Sequence, residues 1–375
     1  MTESEPQPFA LFCTNFLPYS QTFVYEELRN HRRYEAEVFT WRRQNADRFP
    51  YPKVHEANLL YGGTLMSGSF ARRFARRDFT LVHAHFGPGA IYALPYAQMA
   101  KLPLVVTFHG YDVPLLWNIR RFSPEYWPYA ALSKRLLARM TLGLCASTEL
   151  YELLVDFGVP AEKLRIHRLG IDIDRFAPGP RRADGFQVAM VGRFVEKKGF
   201  SYGMRAFAKL AADVPDARLV IVGDGELGER LTKLASDLGI AERVRFTGPI
   251  PSDDVKTLLQ ESHVLLAPSV VDRIGDRESG LIVAKEASAC ATPVVATVHG
   301  GLPDIVEHGV TGLLAPERDV ESLATHLRAL HDDRALWKRL GRAAVEKTRR
   351  EYDNRERVAA LEDLYDEARE RFTLG

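Results

Sequence analysis

Glu278 and Glu286 stand eight positions apart, with Ser279-Gly280-Leu281-Ile282 directly after the first carboxylate. If residues 280–290 are helical, Glu286 sits about one and a half turns inside. Eight residues at about 1.5 Å each span about 12 Å. That is too far for a carboxylate pair working as acid and nucleophile at about 5–5.5 Å, and long even for the inverting arrangement. The spacing suits two anchors on opposite ends of one extended ligand, with an anion between them at the N–H groups that open the helix. The plainer reading is a surface-loop glutamate and a partly buried helix glutamate. Glu286 lies amid Val283, Ala284 and Ala287, so its carboxylate needs a hydrogen-bond partner if buried, and a pair of ligand hydroxyls would serve.

Arg193 and Lys198 follow an apolar run and are bracketed by Gly192 and Gly199. A planar guanidinium fork and a point-charge ammonium at a strand end suit a phosphate. The glycines permit close backbone approach. A solvated charge cluster beside Glu196 is the alternative. Gly223-Asp224-Gly225 lacks the third glycine of a dinucleotide fingerprint. Gly300-Gly301 reads either as a tight turn or as N–H donors to the same anion.

His83 and His85 share one face of a strand, because side chains repeat every two residues. His109 stands just past another strand, beside Gly110. Three imidazoles could ligate a metal, but no nearby carboxylate or cysteine completes a pattern. Packing and loop-orienting roles are therefore expected, and no metal.

The elements that must carry these groups alternate. Apolar runs at residues 9–14, 35–41, 80–86, 102–108, 142–146 and 164–167 read as strands, with helices over 23–31, 65–77, 87–99, 124–140 and 148–157. Residues 42–63 read as loop. The stretch from Gly170 to Pro180, followed by Arg181 and Arg182, reads as a hinge. A second series follows, with strands at 186–191, 219–222, 244–247, 264–268, 293–297 and 311–314. Helices fall between these strands, one of them opening on Ser252 as its N-cap, and the tail from Asp319 is helical. Alternation of this kind implies parallel βαβ units, with ligands at strand C-termini. The fold expected is α/β, built from two doubly wound domains. One covers residues 1–175 with the helix 352–375 added, and the other covers residues 184–350.

The chain has 375 residues and a net charge of +1, so bulk charge points to no nucleic acid. Cys13, Cys145 and Cys290 are far apart in apolar settings, as buried reduced thiols are. The N-terminus is acidic and lacks an apolar core, so no signal peptide is expected, and no run is long enough for a membrane span. A cytoplasmic protein is expected. Residues 1–175 hold 21 basic against 17 acidic residues, and residues 176–375 hold 29 against 32. Arg72, Arg73, Arg76 and Arg77, with Trp117, Arg120, Arg121, Phe122 and Trp127, form either a solvated face or a patch for an anionic membrane.

In order along the chain stand Val191-Gly192-Arg193-Phe-Val-Glu-Lys-Lys198-Gly199, Val222-Gly-Asp-Gly-Glu226, Phe246-Thr-Gly248-Pro-Ile250-Pro, Glu278 to Glu286, Ala291-Thr-Pro-Val-Val-Ala296 and Gly300-Gly-Leu-Pro-Asp304. Together they resemble retaining nucleotide-sugar-dependent glycosyltransferases of GT-B fold, in the "glycosyltransferase group 1" family. Tyr19-Ser20-Gln21-Thr22-Phe23, His83-Ala-His85-Phe86 and His109-Gly-Tyr-Asp112 resemble its bacterial exopolysaccharide and glycolipid branch. The resemblance implies two Rossmann-like domains facing a cleft, with a C-terminal helix crossing back to the first. It also implies transfer of a hexose from a UDP- or GDP-sugar to a glycan, lipid-linked or small-molecule hydroxyl, by front-face attack with retention. Arg193 and Lys198 would hold the diphosphate. Glu278 would bind sugar hydroxyls and Glu286 the ribose, with Gly192, Ser279, Gly280, Leu281, Ile282 and Gly223 lining the donor. Gly248 and Ile250 would meet the base. His109 would stand by the reacting centre, and Ser20, Gln21, Thr22, His85 and Asp112 on the acceptor side. No cofactor is implied, because the cations replace a metal. Alternatives are a UDP-sugar 2-epimerase of the same fold and a non-catalytic scaffold of a polysaccharide assembly complex.

Overall fold

A computed structural model describes residues 5–18, 22–57, 65–181 and 185–374. The chain forms two compact units, Met1–Gly170 with Asn354–Gly375, and Ile171–Asp353.

The first unit carries strands β1 (Gln7–Phe16), β2 (Tyr34–Arg43), β3 (Val54–Glu56), β4 (Val82–His85), β5 (Leu104–Phe108), β6 (Leu142–Cys145) and β7 (Leu164–Ile166). They make one parallel sheet of order β3-β2-β1-β4-β5-β6-β7. The second unit carries β8 (Phe186–Val191), β9 (Ala217–Val222), β10 (Val244–Gly248), β11 (Val264–Ala267), β12 (Val294–Thr297) and β13 (Gly312–Ala315). Its parallel order is β10-β9-β8-β11-β12-β13.

The strands read as unbroken apolar runs because both faces of each sheet are covered. Ala10 and Phe12 enter one core of the first unit, and Phe9, Leu11 and Cys13 enter the other. Val188 and Met190 face one core of the second unit, while Ala189 faces the opposite one. A large apolar side chain so buried, such as Phe12, Leu11 or Met190, contributes about 1.5–3 kcal/mol. The order of each sheet reverses once, at β1/β4 and at β8/β11. A doubly wound sheet leaves a crevice at such a switch point, beyond the strand C-termini.

Several expectations need correction. The loop expected over residues 42–63 begins and continues with strand: β2 runs on to Arg43, and Val54–Glu56 pairs with it. Arg and Pro around a three-residue edge strand hide its pattern. The helix expected over 65–77 is Gly68–Phe74, and Arg77 takes a positive φ of 56° beyond it. Ser252 is the first helical residue, not the cap; Pro251 is the cap and offers no side-chain acceptor. The helix over the two-glutamate stretch is Ile282–Ala289.

The helix Asn354–Leu374 belongs to the first unit. Leu361, Tyr365 and Ala368 are fully buried there. Glu362 accepts from the backbone N–H groups of Arg32 (2.8 Å) and Arg33 (3.0 Å) and faces His31 Nδ1 at 3.1 Å. Burial pushes its carboxyl up, but His31 and these N–H groups hold it down at about 2. Cys13, Cys145 and Cys290 are buried free thiols. Among the described residues, no helix is long and apolar enough to cross a membrane.

Candidate functional site

In the second unit, Gly223 and Gly192 directly follow β9 and β8, and β10 ends at Gly248. Gly223 has φ 130°, and a Cβ there would lie 1.9 Å from the Gly192 carbonyl oxygen. No other residue lets the two strand ends approach so closely. Gly192 has φ 153°, and the stem of Lys198 passes 3.0 Å from where its Cβ would be. The lysine lies across the bare backbone and its ammonium meets Glu278, Nζ to Oε2 at 2.9 Å. Residues 193–198 follow β8 and residues 268–281 follow β11, so the pair bridges the switch point of the sheet.

Lys197, which the sequence reading passed over, is buried. Its Nζ is 3.2 Å from Asp276 Oδ1, 3.2 Å from the Arg277 carbonyl and 3.6 Å from Glu278 Oε1. Burial pushes the Glu278 carboxyl up, but Lys198 and Lys197 hold it at about 2. Glu278 is thus a weak Brønsted base and a permanent hydrogen-bond acceptor. Its backbone N–H donates to His299 Nε2 at 3.0 Å, so the His299 hydrogen is on Nδ1, which meets Glu317 Oε1 at 2.6 Å. Only the topology could reveal that support, because His299 and Glu317 follow β12 and β13.

Arg193 is exposed, and its guanidinium forms no hydrogen bond or ion pair among the described residues. Ser279 and Leu281 are buried, and Ile282 packs against the core. Leu281 caps the following helix without a side-chain acceptor, which leaves first-turn N–H groups without an intrahelical partner. Glu286 is partly buried, and its carboxylate has no hydrogen bond among the described residues. Burial pushes it up to about 7, with Arg175 opposing. Gly248 takes φ 70° and nothing lies within 4 Å of its missing Cβ, while Ile250 packs on the core below.

In the first unit, His85 closes β4 and His109 follows β5. His85 Nδ1 is 2.8 Å from His109 Nε2, and the ring of His109 lies against Phe23 and Phe86 at 4.9 and 4.4 Å. The expectation that no carboxylate attends these histidines is wrong. Glu27, on the helix Thr22–Asn30, puts Oε1 3.2 Å from His85 Nε2 and 4.0 Å from His83 Nδ1. The spacing of one helix against two strands, some 56 positions on, carried no local signal. Glu27, His83 and His85 offer ligand atoms within 4.8 Å of one another. Both His83 nitrogens are engaged by Tyr365 Oη at 2.8 Å and Thr107 Oγ1 at 2.7 Å, while Glu27 Oε1 and His85 Nε2 are buried with no hydrogen-bond partner among the described residues.

Asp112, expected on the acceptor side, is fully buried. Its oxygens accept from the N–H groups of Gly87 (3.0 Å), His109 (3.1 Å) and Gly110 (2.9 Å), so it shapes the loop. Burial pushes its carboxyl up to about 6, against those N–H groups. Thr22 opens its helix. Ser20 and Gln21 lie outside the described residues, as does Arg182. Arg73, placed on the membrane face by sequence, is mostly covered and bound to Glu37 (2.5 Å) and Asp78 (2.6 Å).

Two doubly wound parallel sheets with glycines, cations and carboxylates at their C-terminal edges define the GT-B glycosyltransferase class. The chain belongs to the glycosyltransferase group 1 family. Residues 173–347 match "Glycosyl transferases group 1", and residues 22–175 match "Glycosyltransferase Family 4". It is 32% identical over 332 residues, 82% of this chain and 83% of the other, to a GDP-mannose-dependent alpha-(1-6)-phosphatidylinositol monomannoside mannosyltransferase of Mycolicibacterium smegmatis. It is 34% identical over 248 residues to WcaL of Salmonella typhimurium, named for colanic acid biosynthesis; that match covers 65% of this chain and 59% of WcaL. The crystal structure of Anabaena HepE in complex with UDP superposes with a TM-score of 0.79 at 20% identity, covering 96% of this chain and all of that one (100%).

Proposed function

We propose that the protein transfers a hexose from a UDP- or GDP-sugar to a hydroxyl of a glycan or lipid-linked acceptor, with retention, in bacterial exopolysaccharide or glycolipid synthesis in the cytoplasm. The observation that carries this reading is the Lys198–Glu278 pair laid over Gly192, with Arg193, its side chain unpaired among the described residues, in the same loop after β8. An ammonium has three donors, so Lys198 can keep Glu278 and still meet a diphosphate. In the reaction, the bond from the anomeric carbon to the β-phosphate oxygen breaks and a bond to the acceptor oxygen forms. The acceptor proton passes to the departing phosphate oxygen. Lys198 and Arg193 offset the charge that builds there. Glu278 holds sugar hydroxyls, and Glu286, whose carboxylate has no hydrogen bond among the described residues, takes the ribose diol. Ser279, Gly280, Leu281 and Ile282 bring backbone N–H groups to the donor, and the backbone at Gly248–Ile250 meets the base. No metal is needed where two cations face the diphosphate. A relative named for GDP-mannose and a phosphatidylinositol monomannoside supports a nucleotide-sugar donor and a lipid-linked acceptor.

Calorimetry and thermal shift with UDP, GDP, ADP and their sugars test the reading. UDP or GDP should raise the melting temperature, and transfer should follow when a matching acceptor is present. Absence of binding by every nucleotide diphosphate would leave a scaffold instead. Turnover of a nucleotide sugar to its 2-epimer without acceptor would make the protein an isomerase.

A further inference from the structure

Within the second unit, the loop of residues 268–281 is held from two sides. On the β8 side, the Val270 N–H donates to the Lys197 carbonyl at 2.9 Å, and Lys197 and Lys198 meet the Glu278 carboxylate. The other side is set by the β12–β13 register, which pairs Thr297 with Ala315. Two residues beyond each stand His299 and Glu317. Glu317 Oε1 meets His299 Nδ1 at 2.6 Å, and its Oε2 accepts the Val271 N–H at 3.0 Å and the exposed Arg318 guanidinium at 3.1 Å. The His299 side chain is fully buried, and its Nε2 accepts the Glu278 N–H at 3.0 Å. A ring nitrogen that accepts an N–H carries no hydrogen. His299 is therefore neutral, with its one hydrogen on Nδ1 directed at Glu317. Between these ties the loop closes on itself, because Asp272 Oδ1 accepts the Ile274 and Asp276 N–H groups at 2.9 and 2.8 Å. One carboxylate thus holds the loop at Val271 directly and at Glu278 through an imidazole.

We infer that Glu317 and His299 are positioning residues, a carboxylate–imidazole relay that fixes the main chain at Glu278 and so sets where its carboxylate meets the donor sugar. The sugar rests on the transferase reading; the relay does not. Lys197 and Lys198 draw the Glu278 side chain towards β8, while the bond to His299 holds its main chain towards β12. A group that grips a reacting sugar tolerates little error, since a misplacement of about 1 Å can cost about 10²-fold in rate. An apolar residue at position 299 leaves the Glu278 N–H without its acceptor, and the loop shifts to find another.

Histidine-labelled protein at pH 8, read by ¹⁵N–¹H long-range NMR correlation, tests the relay without any activity assay. The His299 signals are those that His299→Gln removes. The expected spectrum shows a neutral ring with its hydrogen on Nδ1, and Glu317→Gln should move that proton upfield as its acceptor loses charge. With a nucleotide sugar that turns over, His299→Leu and Glu317→Gln should lower kcat about 10–100-fold, with UDP or GDP affinity in calorimetry within about twofold. His299→Gln, which returns an acceptor to the place of Nε2, should recover most of that loss. Arg273→Ala, on the same loop but paired with Glu196 at the surface, should leave kcat unchanged. A hydrogen on Nε2 in the unaltered protein overturns the inference. Full activity in His299→Leu overturns it, as does equal loss in His299→Leu and His299→Gln. Nucleotide affinity that falls in step with kcat would make the pair merely structural and overturns it too. The tautomer is read on the unaltered chain, so a variant that does not fold leaves the test intact. The expected tautomer with no transfer to any acceptor counts against the transferase reading and not against the relay.

Discussion

Lys198 Nζ lies 2.9 Å from Glu278 Oε2, joining the loop after β8 to the loop after β11 across the switch point of the sheet. The glutamate falls below the ordinary carboxyl range because of this ammonium and that of Lys197, which outweigh its burial. Lys198→Ala should therefore act twice. Transfer should fall about 10²–10³-fold in kcat through loss of the charge facing the leaving group. Glu278 should lose its nearest cation, and chemical denaturation should show a loss of about 1–3 kcal/mol. Lys198→Met with Glu278→Gln should recover part of that stability but none of the activity.

The same pair makes a pH prediction. The folded Glu278 value of about 2 lies below the unfolded value of about 4.3. Its contribution is complete above about pH 4.3 and is lost as the pH falls towards 2. Glu278→Gln should flatten that part of the stability profile.

Arg193 separates binding from folding. It is exposed and its side chain is unpaired among the described residues, so Arg193→Ala should change stability by no more than about 0.5 kcal/mol. A lost charged hydrogen bond is worth about 1.5–3 kcal/mol, so nucleotide-diphosphate affinity should fall by about 10–150-fold in calorimetry.

Glu286 has the opposite sign from Glu278. Burial raises it to about 7, so its share of stability is complete below about pH 4.3 and is lost as the pH rises through 7. The ribose diol prefers the ionised carboxylate, so nucleotide affinity should climb between pH 6 and 8 while the free protein weakens. Glu286→Gln should remove both slopes.

Trp117, Ile119, Phe122 and Trp127 are 40, 69, 67 and 67% exposed within one stretch that also holds Arg120 and Arg121. We propose an anionic bilayer as the partner of this patch. Vesicles rich in phosphatidylglycerol should pellet the protein at low salt, and Phe122→Ser with Trp127→Ser should weaken that about tenfold or more. Arg73, being paired, should make no difference. Equal pelleting by the variant would dismiss the patch.

The alternation of apolar runs and helices was readable because each βα unit is local, and strands covered on both faces carry continuous apolar residues such as Phe9 to Cys13. The stretches around Arg193–Lys198 and Glu278–Glu286 were readable for the same reason, since each lies within one loop and the turn that follows it. The edge strand Val54–Glu56 was not, because three residues carry no period. Asp112 was read as facing a ligand, and it is instead the acceptor that folds its own loop. The joining of Lys198 to Glu278, of Glu27 to His85, and of His299 to both Glu278 and Glu317 lay beyond any local pattern. Each contact depends on which strands are neighbours, and sheet order follows from how whole layers pack. A residue's type and spacing announce what it can bond; the order β10-β9-β8-β11-β12-β13 determines what it meets.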